Sequence, residues 1–96
     1  MKSNDYIEQS ENLTAPTMDM HRAIVTLSEK LAELDSSNQR IDACTDSSLI
    51  TILSFARETE KKNIAMVLEW IRRHDPKFDS ALRTALFKAG PIVEED

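Results

Sequence analysis

Apolar residues recur along this chain at steps of three and four, the spacing of one helix face, and nowhere in the alternation of a strand. The first stripe holds Ile24, Leu27, Leu31 and Leu34. The second holds Leu49, Leu53, Ala56, Ile64, Val67 and Ile71, with Glu60 standing inside it. The third holds Phe78, Ala81, Leu82, Ala85 and Leu86. Thr14 is placed to cap the first helix, whose opening turn tolerates Pro16. Ser36, Ser37 and Asn38 predict its end at about Asp35 or Ser37. The segment SNQRIDACTDSS then reads as a polar connection, and Thr45 or Asp46 caps a second helix running to about His74. Asp75 and Pro76 stop that helix and start the next, as cap and first residue. Gly90 and Pro91 supply the final stop. The chain thus divides into an arm over 1–13, a helical hairpin with a C-terminal helix over 14–93, and an acidic tail over 94–96.

The predicted class is all-α, with two long antiparallel helices and a short third. A hairpin leaves much of each stripe uncovered. Self-association into a four-helix bundle, each chain giving two helices, is the economical cover.

Composition narrows this further. Ninety-six residues make one small domain with a marginal core. A single glycine and three prolines leave no material for a phosphate-cradling loop, a dinucleotide fingerprint or a turn-rich β fold. One cysteine, Cys44, excludes an internal disulfide framework and a cysteine-based zinc site. No apolar run approaches the roughly 20 residues of a membrane span. The opening MKSNDYIEQS lacks the apolar stretch of a secretory signal, so the expected compartment is the cytoplasm. The net charge of −5 lies in the two ends: −2 over residues 1–12 and −3 over 94–96, leaving 13–93 neutral. No basic stripe points to nucleic acid.

The candidate chemistry lies where polar residues enter the stripes. Ala56, Glu60, Asn63, Val67 and Trp70 share a face of the second helix. Ala23, Leu27, Lys30 and Leu34 share one on the first. An unpaired charge inside a bundle costs several kcal/mol, so it must be paired or bind metal. If instead these residues lie at the stripe's edge, they reach water. Lys30 and Glu60 are expected to pair between helices, and between protomers. The arrangement is similar to the four-helix carboxylate sites, where a Glu from one helix meets Glu-x-x-His from another. Here the motif reads E-K-K-N at 60–63. Asparagine is a poor transition-metal ligand beside imidazole, and a lysine repels a cation.

The segments HRAIV at 21–25, QRIDACTD at 39–46, AMVLEWIRRHDPKF at 65–78 and LRTALFKAGPI at 82–92 resemble the encapsulated ferritins. The resemblance covers about residues 19–93. It implies two-helix protomers that pair into ferritin-like four-helix bundles and close into rings, with a di-iron ferroxidase site between protomers. It also implies oxidation of iron(II) within an encapsulin shell. By position, the family's site needs a Glu at Lys30, a Glu at Glu60 and a His at Asn63, so one ligand of three is kept. Of the outer site through which iron enters, Glu29 is kept. The second carboxylate falls at Ala32, and the two aromatics fall at Ser36 and Ser37.

The expectation is therefore a homo-oligomeric scaffold of this family with a substituted di-iron site and weak or no ferroxidase activity. Two alternatives stand beside it. One is a working iron or divalent-metal site using Glu60 from two chains with Glu29 or Glu58. The other is a non-catalytic subunit partnering an active ferritin-like paralogue. The ending PIVEED lacks the apolar and basic pattern of encapsulin-directed tails. The chain is then either outside the encapsulin compartment or recruited to it by another route. Elsewhere, His21 and His74 read as hydrogen-bonded structural residues, Cys44 as packing, and Arg72 and Arg73 as helix-dipole partners. Trp70, Met18, Met20 and Met66 read as core or interface.

Overall fold

Helix α1 spans Ala15–Ala43, α2 spans Ser47–His74 and α3 spans Pro76–Ala85, in a computed structural model that describes residues 6–94. Before them, Ser10–Asn12 form one 3-10 turn. Residues 1–5 of the expected arm, and 95–96 of the expected tail, lie outside the described residues.

The starts of the helices follow from side-chain caps. Thr14 Oγ1 accepts from the Thr17 amide at 3.3 Å, Asp46 Oδ1 from the Leu49 amide at 2.9 Å, and Asp75 Oδ1 from the Phe78 amide at 3.0 Å. Each satisfies a donor that the first turn leaves without a partner. Asp46, not Thr45, is the cap of α2.

The end of α1 differs from the sequence expectation. Ser36, Ser37 and Asn38 do not stop it; it continues to Ala43. Ser37 and Ile41 carry the inward-facing positions onward and are half-buried. Asn38 Oδ1 accepts from Arg57 Nη1 at 3.1 Å, tying this turn to α2. Such packing outweighs weak propensities of a few tenths of a kcal/mol per residue. The stop of α3 also differs. It ends at Ala85, before Gly90. The Leu86 amide bonds the Leu82 carbonyl at 2.9 Å, and Phe87 turns the chain at φ 59°, a left-handed conformation uncommon for a bulky residue.

The two long helices pack antiparallel along matched seams. On α1 the inward positions are 20, 23, 27, 30, 34, 37 and 41; on α2 they are 50, 53, 57, 60, 64, 67 and 71. Every one is buried or half-buried. Both series step by three and four throughout, which keeps a seam facing its partner along the length of a helix pair. The predicted stripes were each partly misaligned with these seams. Ile24 and Leu31 face outward on α1, and Leu49 and Ala56 face outward on α2.

The hairpin alone encloses little. Among the described residues, two side chains are fully buried, Val25 at 2% exposure and Ile71 at 1%. The accessible surface is 7831 Å², against about 5,600 Å² for a compact protein of this mass. The radius of gyration is 17.3 Å, against about 12.5 Å for a compact chain of this length.

The uncovered apolar surface forms two faces. On α2, one step back from the seam, Leu49, Ile52, Ala56, Thr59, Met66 and Trp70 are exposed at heptad spacing, with Asn63 half-buried among them. This face borders Asp19, Arg22 and Thr26 of α1. On the opposite side, Ile24 and Leu31 lie one step forward of the α1 seam and are exposed. There α3 lies on α2 along Ala65, Leu68 and Arg72, and Leu86 and Phe87 stand open.

Candidate functional site

Halfway along both seams, Lys30 of α1 and Glu60 of α2 stand at the same level. Lys30 Nζ donates to Glu60 Oε1 at 3.3 Å. Their side chains keep 27% and 18% of their exposure. The pair joins the two helices, as expected, and it forms within one chain. Two antiparallel helices joined by a short loop bring residues 30 and 60 level with each other, so no second chain is needed for the contact. The neighbouring seam positions Leu27, Leu34, Arg57 and Ile64 are half-buried, so the pair has an apolar layer of Leu27 and Ile64 on one side and Leu34 with Arg57, itself bonded to Glu58 and Asn38, on the other.

Asn63 lies one turn beyond Glu60 and is half-buried at the edge of the exposed α2 face. Glu29 is exposed, one residue before Lys30 and therefore turned toward the side that carries that face. Ala32 is exposed, and Ser36 and Ser37 are half-buried. Glu58 is engaged elsewhere. Its carboxylate accepts from Lys61 at 3.2 Å and Arg57 at 3.0 Å. Those bonds, Lys61's foremost, hold its carboxyl below the usual range.

Chemically, a lysine ammonium offers three donors and no acceptor, while an asparagine amide offers one oxygen. At the centre of the hairpin the free donor atoms for a cation are thus the unpaired carboxylate oxygen of Glu60 and the Asn63 amide oxygen. Among the described residues, no group of three or more His, Cys, Asp or Glu within the chain is placed to hold a metal ion.

The other singled-out residues lie away from this centre. Among the described residues His21 Nε2 is buried without a hydrogen-bond partner, contrary to expectation, and the ring packs on Tyr6 with centroids 4.8 Å apart. His74 stacks on Trp70 at 3.9 Å, with Nδ1 2.7 Å from the Trp70 carbonyl. Cys44 follows α1 as its C-cap and is a half-buried free thiol, its Sγ 3.7 Å from the Asp46 carbonyl.

Sequence reasoning missed an ion network at the α2–α3 corner. Arg72 donates to Glu69 at 2.8 and 2.7 Å and also reaches Asp79. Arg73 adds a bond to Glu69 and Arg83 one to Asp79. The helical spacings Glu69/Arg72/Arg73 and Asp79/Arg83 signal the pairs within each helix. The link between the helices needs the corner geometry.

Comparison with known proteins places the chain in context. Residues 5–89 match the family described as EncFtn-like. An encapsulated ferritin-like protein of Rhodospirillum rubrum is 48% identical over 91 residues, covering 95% of this chain and 65% of that protein's own length. A ferritin-like protein of Thermotoga maritima is 37% identical over 92 residues, covering 96% of this chain and 81% of that one. The crystal structure of protein ne0167 from Nitrosomonas europaea superposes with a TM-score of 0.88 at 47% identity, covering 95% of this chain and 100% of that one.

Proposed function

The chain belongs to the EncFtn-like family, and from that membership we propose that it forms a ferritin-like homo-oligomeric scaffold whose iron-oxidising site has been replaced. The single observation that carries the second half is the Lys30–Glu60 ion pair at 3.3 Å. Glu60 stands where the family resemblance asks for a ligand. Lys30 and Asn63 stand where it asks for a carboxylate and an imidazole. A bound iron pair needs bridging carboxylates and imidazoles with no competing cation. The ammonium is already seated on the one retained carboxylate, so the residues present do not fit the iron pair.

Assembly is supported by the uncovered surface. The excess of about 2,200 Å² over a compact chain of this mass is of the order buried at stable interfaces. The two apolar faces lie on opposite sides of the hairpin, so one two-fold partner covers one of them. A second contact then extends the assembly beyond two chains. No helix among the described residues is long and apolar enough to cross a membrane. Association with an encapsulin shell, or with an active ferritin-like chain, is the partner class that the family points to.

The test is iron(II) oxidation in air and bound iron per chain, compared for the unaltered protein, Lys30→Glu, Asn63→His and the double variant. The unaltered protein and both single variants are expected to follow the rate of iron(II) in buffer. The double variant is expected to exceed it by about tenfold or more, since even outer-shell changes move metal sites by that much. An unaltered protein as fast as the double variant overturns the reading in favour of a working site built on Glu60 with Glu29.

A further inference from the structure

We propose that Lys30 is the resident counter-cation of the assembled bundle, so that assembly neither needs nor responds to a divalent metal. The inference rests on the reading that two chains close through the exposed α2 face.

The spacing of that face sets where the pair lies in a dimer. A two-fold contact brings residue i of one copy to j of the other and j to i. In an antiparallel pairing of α2 with itself, Leu49 meets Trp70 of the partner subunit and Ile52 meets Met66 of the partner subunit. Both pairings put large apolar side chains together, and both are exposed in the single chain. Their midpoints fall between Thr59 and Glu60 and at Thr59. The two-fold axis therefore passes at Thr59, and Glu60, the next residue, lies on the α1 side of it with its carboxylate held by Lys30.

Two like charges at a desolvated axis repel strongly unless a cation stands with them. Each copy brings its own, because Lys30 Nζ already lies 3.3 Å from Glu60 Oε1. Two ammonium and two carboxylate groups sum to zero. The exposure that the pair retains in one chain, 27% for Lys30 and 18% for Glu60, is what the second copy covers. With an uncharged residue at position 30, the same axis holds two uncompensated carboxylates and becomes a place for a divalent cation. The lysine thus determines whether this interface takes a metal.

Sedimentation velocity over a protein dilution series, in EDTA and in manganese(II), tests this. Manganese(II) is chosen because it favours carboxylate ligands. The unaltered protein is expected to assemble identically in both. In EDTA, Lys30→Met should raise the concentration needed for assembly at least about tenfold, and manganese(II) should reverse the rise. Adding Glu60→Gln to Lys30→Met removes both charges and should restore assembly in EDTA. If Lys30→Met fails to fold, folding regained on adding Glu60→Gln gives the same answer, and continued failure of the neutral pair overturns the proposal. An unaltered protein that is assembled but dissociates in EDTA, or a Lys30→Met variant indifferent to chelator and metal, also overturns it. An unaltered protein that is monomeric under every condition overturns the assembly reading itself.

Discussion

Arg72 of α2 and Asp79 of α3 are joined across the corner made by Asp75 and Pro76, and the same guanidinium grips Glu69 through two further bonds. The hydrogen bonds from Arg72, followed by those from Arg73, hold the Glu69 carboxyl down to about 2 from an ordinary 4.5. Arg72 likewise lowers Asp79. A carboxylate whose folded pKa is depressed contributes stability above its unfolded value and loses it as pH falls through the folded one. For Glu69 the window runs from 4.5 down to about 2. Acidification through it should therefore loosen α3 before the α1–α2 seam. Amide-exchange protection factors for residues 76–85 are expected to hold from pH 6 to about 4.5 and to fall as the pH drops from there toward about 2, while those around Ile71 on the seam hold. Asp79→Asn should bring the loss of α3 protection to pH 6. Protection of α3 unchanged across this range would contradict the assignment of the network as its anchor.

Ile71 is the fully buried side chain of the α1–α2 seam. Ile71→Ala should cost about 2–5 kcal/mol, the usual price of emptying a packed aliphatic site. That is a large part of the total for a domain of this size. Ile7, fully exposed, is the control, and Ile7→Ala should change stability by no more than about 0.5 kcal/mol. Urea denaturation midpoints measure both. Equal shifts would mean that Ile71 does not hold the hairpin together.

Asp46 and Asp75 cap α2 and α3 through their carboxylates. Asp46→Ala and Asp75→Ala are each expected to cost about 1 kcal/mol. Thr45→Ala, beside the true cap, should be nearly neutral. Thermal denaturation followed by circular dichroism separates them. A Thr45 effect as large as that of Asp46 would move the cap by one residue.

The two apolar faces should fail differently. Met66→Lys charges the α2 face beside Trp70 and should raise the concentration at which two chains associate at least about tenfold. Ile24→Lys charges the opposite face and should leave the two-chain unit while stopping larger assembly. Light scattering coupled to gel filtration reads both masses. Loss of the two-chain unit in Ile24→Lys alone would reverse the assignment of the faces.

These tests mark how far the sequence could be read. The helices, their caps at Thr14 and Asp75, and the break at Pro76 were legible because each depends on a local rule. The end of α1 was not, because Ser36 and Ser37 are weak helix formers held by packing against α2. The stripes were read about one residue off, since Leu49 and Ile50, or Leu31 and Lys30, compete for the same face by polarity. A lysine and a glutamate occupy inward positions there, while Leu31 and Leu49 face outward and are exposed. Lys30 and Glu60 were legible as a pair from their place in the stripes. That one chain suffices to join them required the loop length and register of the folded hairpin. The corner network of Arg72 and Asp79 had no sequence signal beyond each helix's own spacing.

The replacement of the iron site is tested most directly by anomalous diffraction at the iron edge, on crystals of the assembled protein exposed to iron(II). The account predicts no anomalous peak within bonding distance of Glu60, with Lys30 Nζ remaining against its carboxylate. A peak bridging Glu60 of two protomers, with Lys30 displaced, would contradict it.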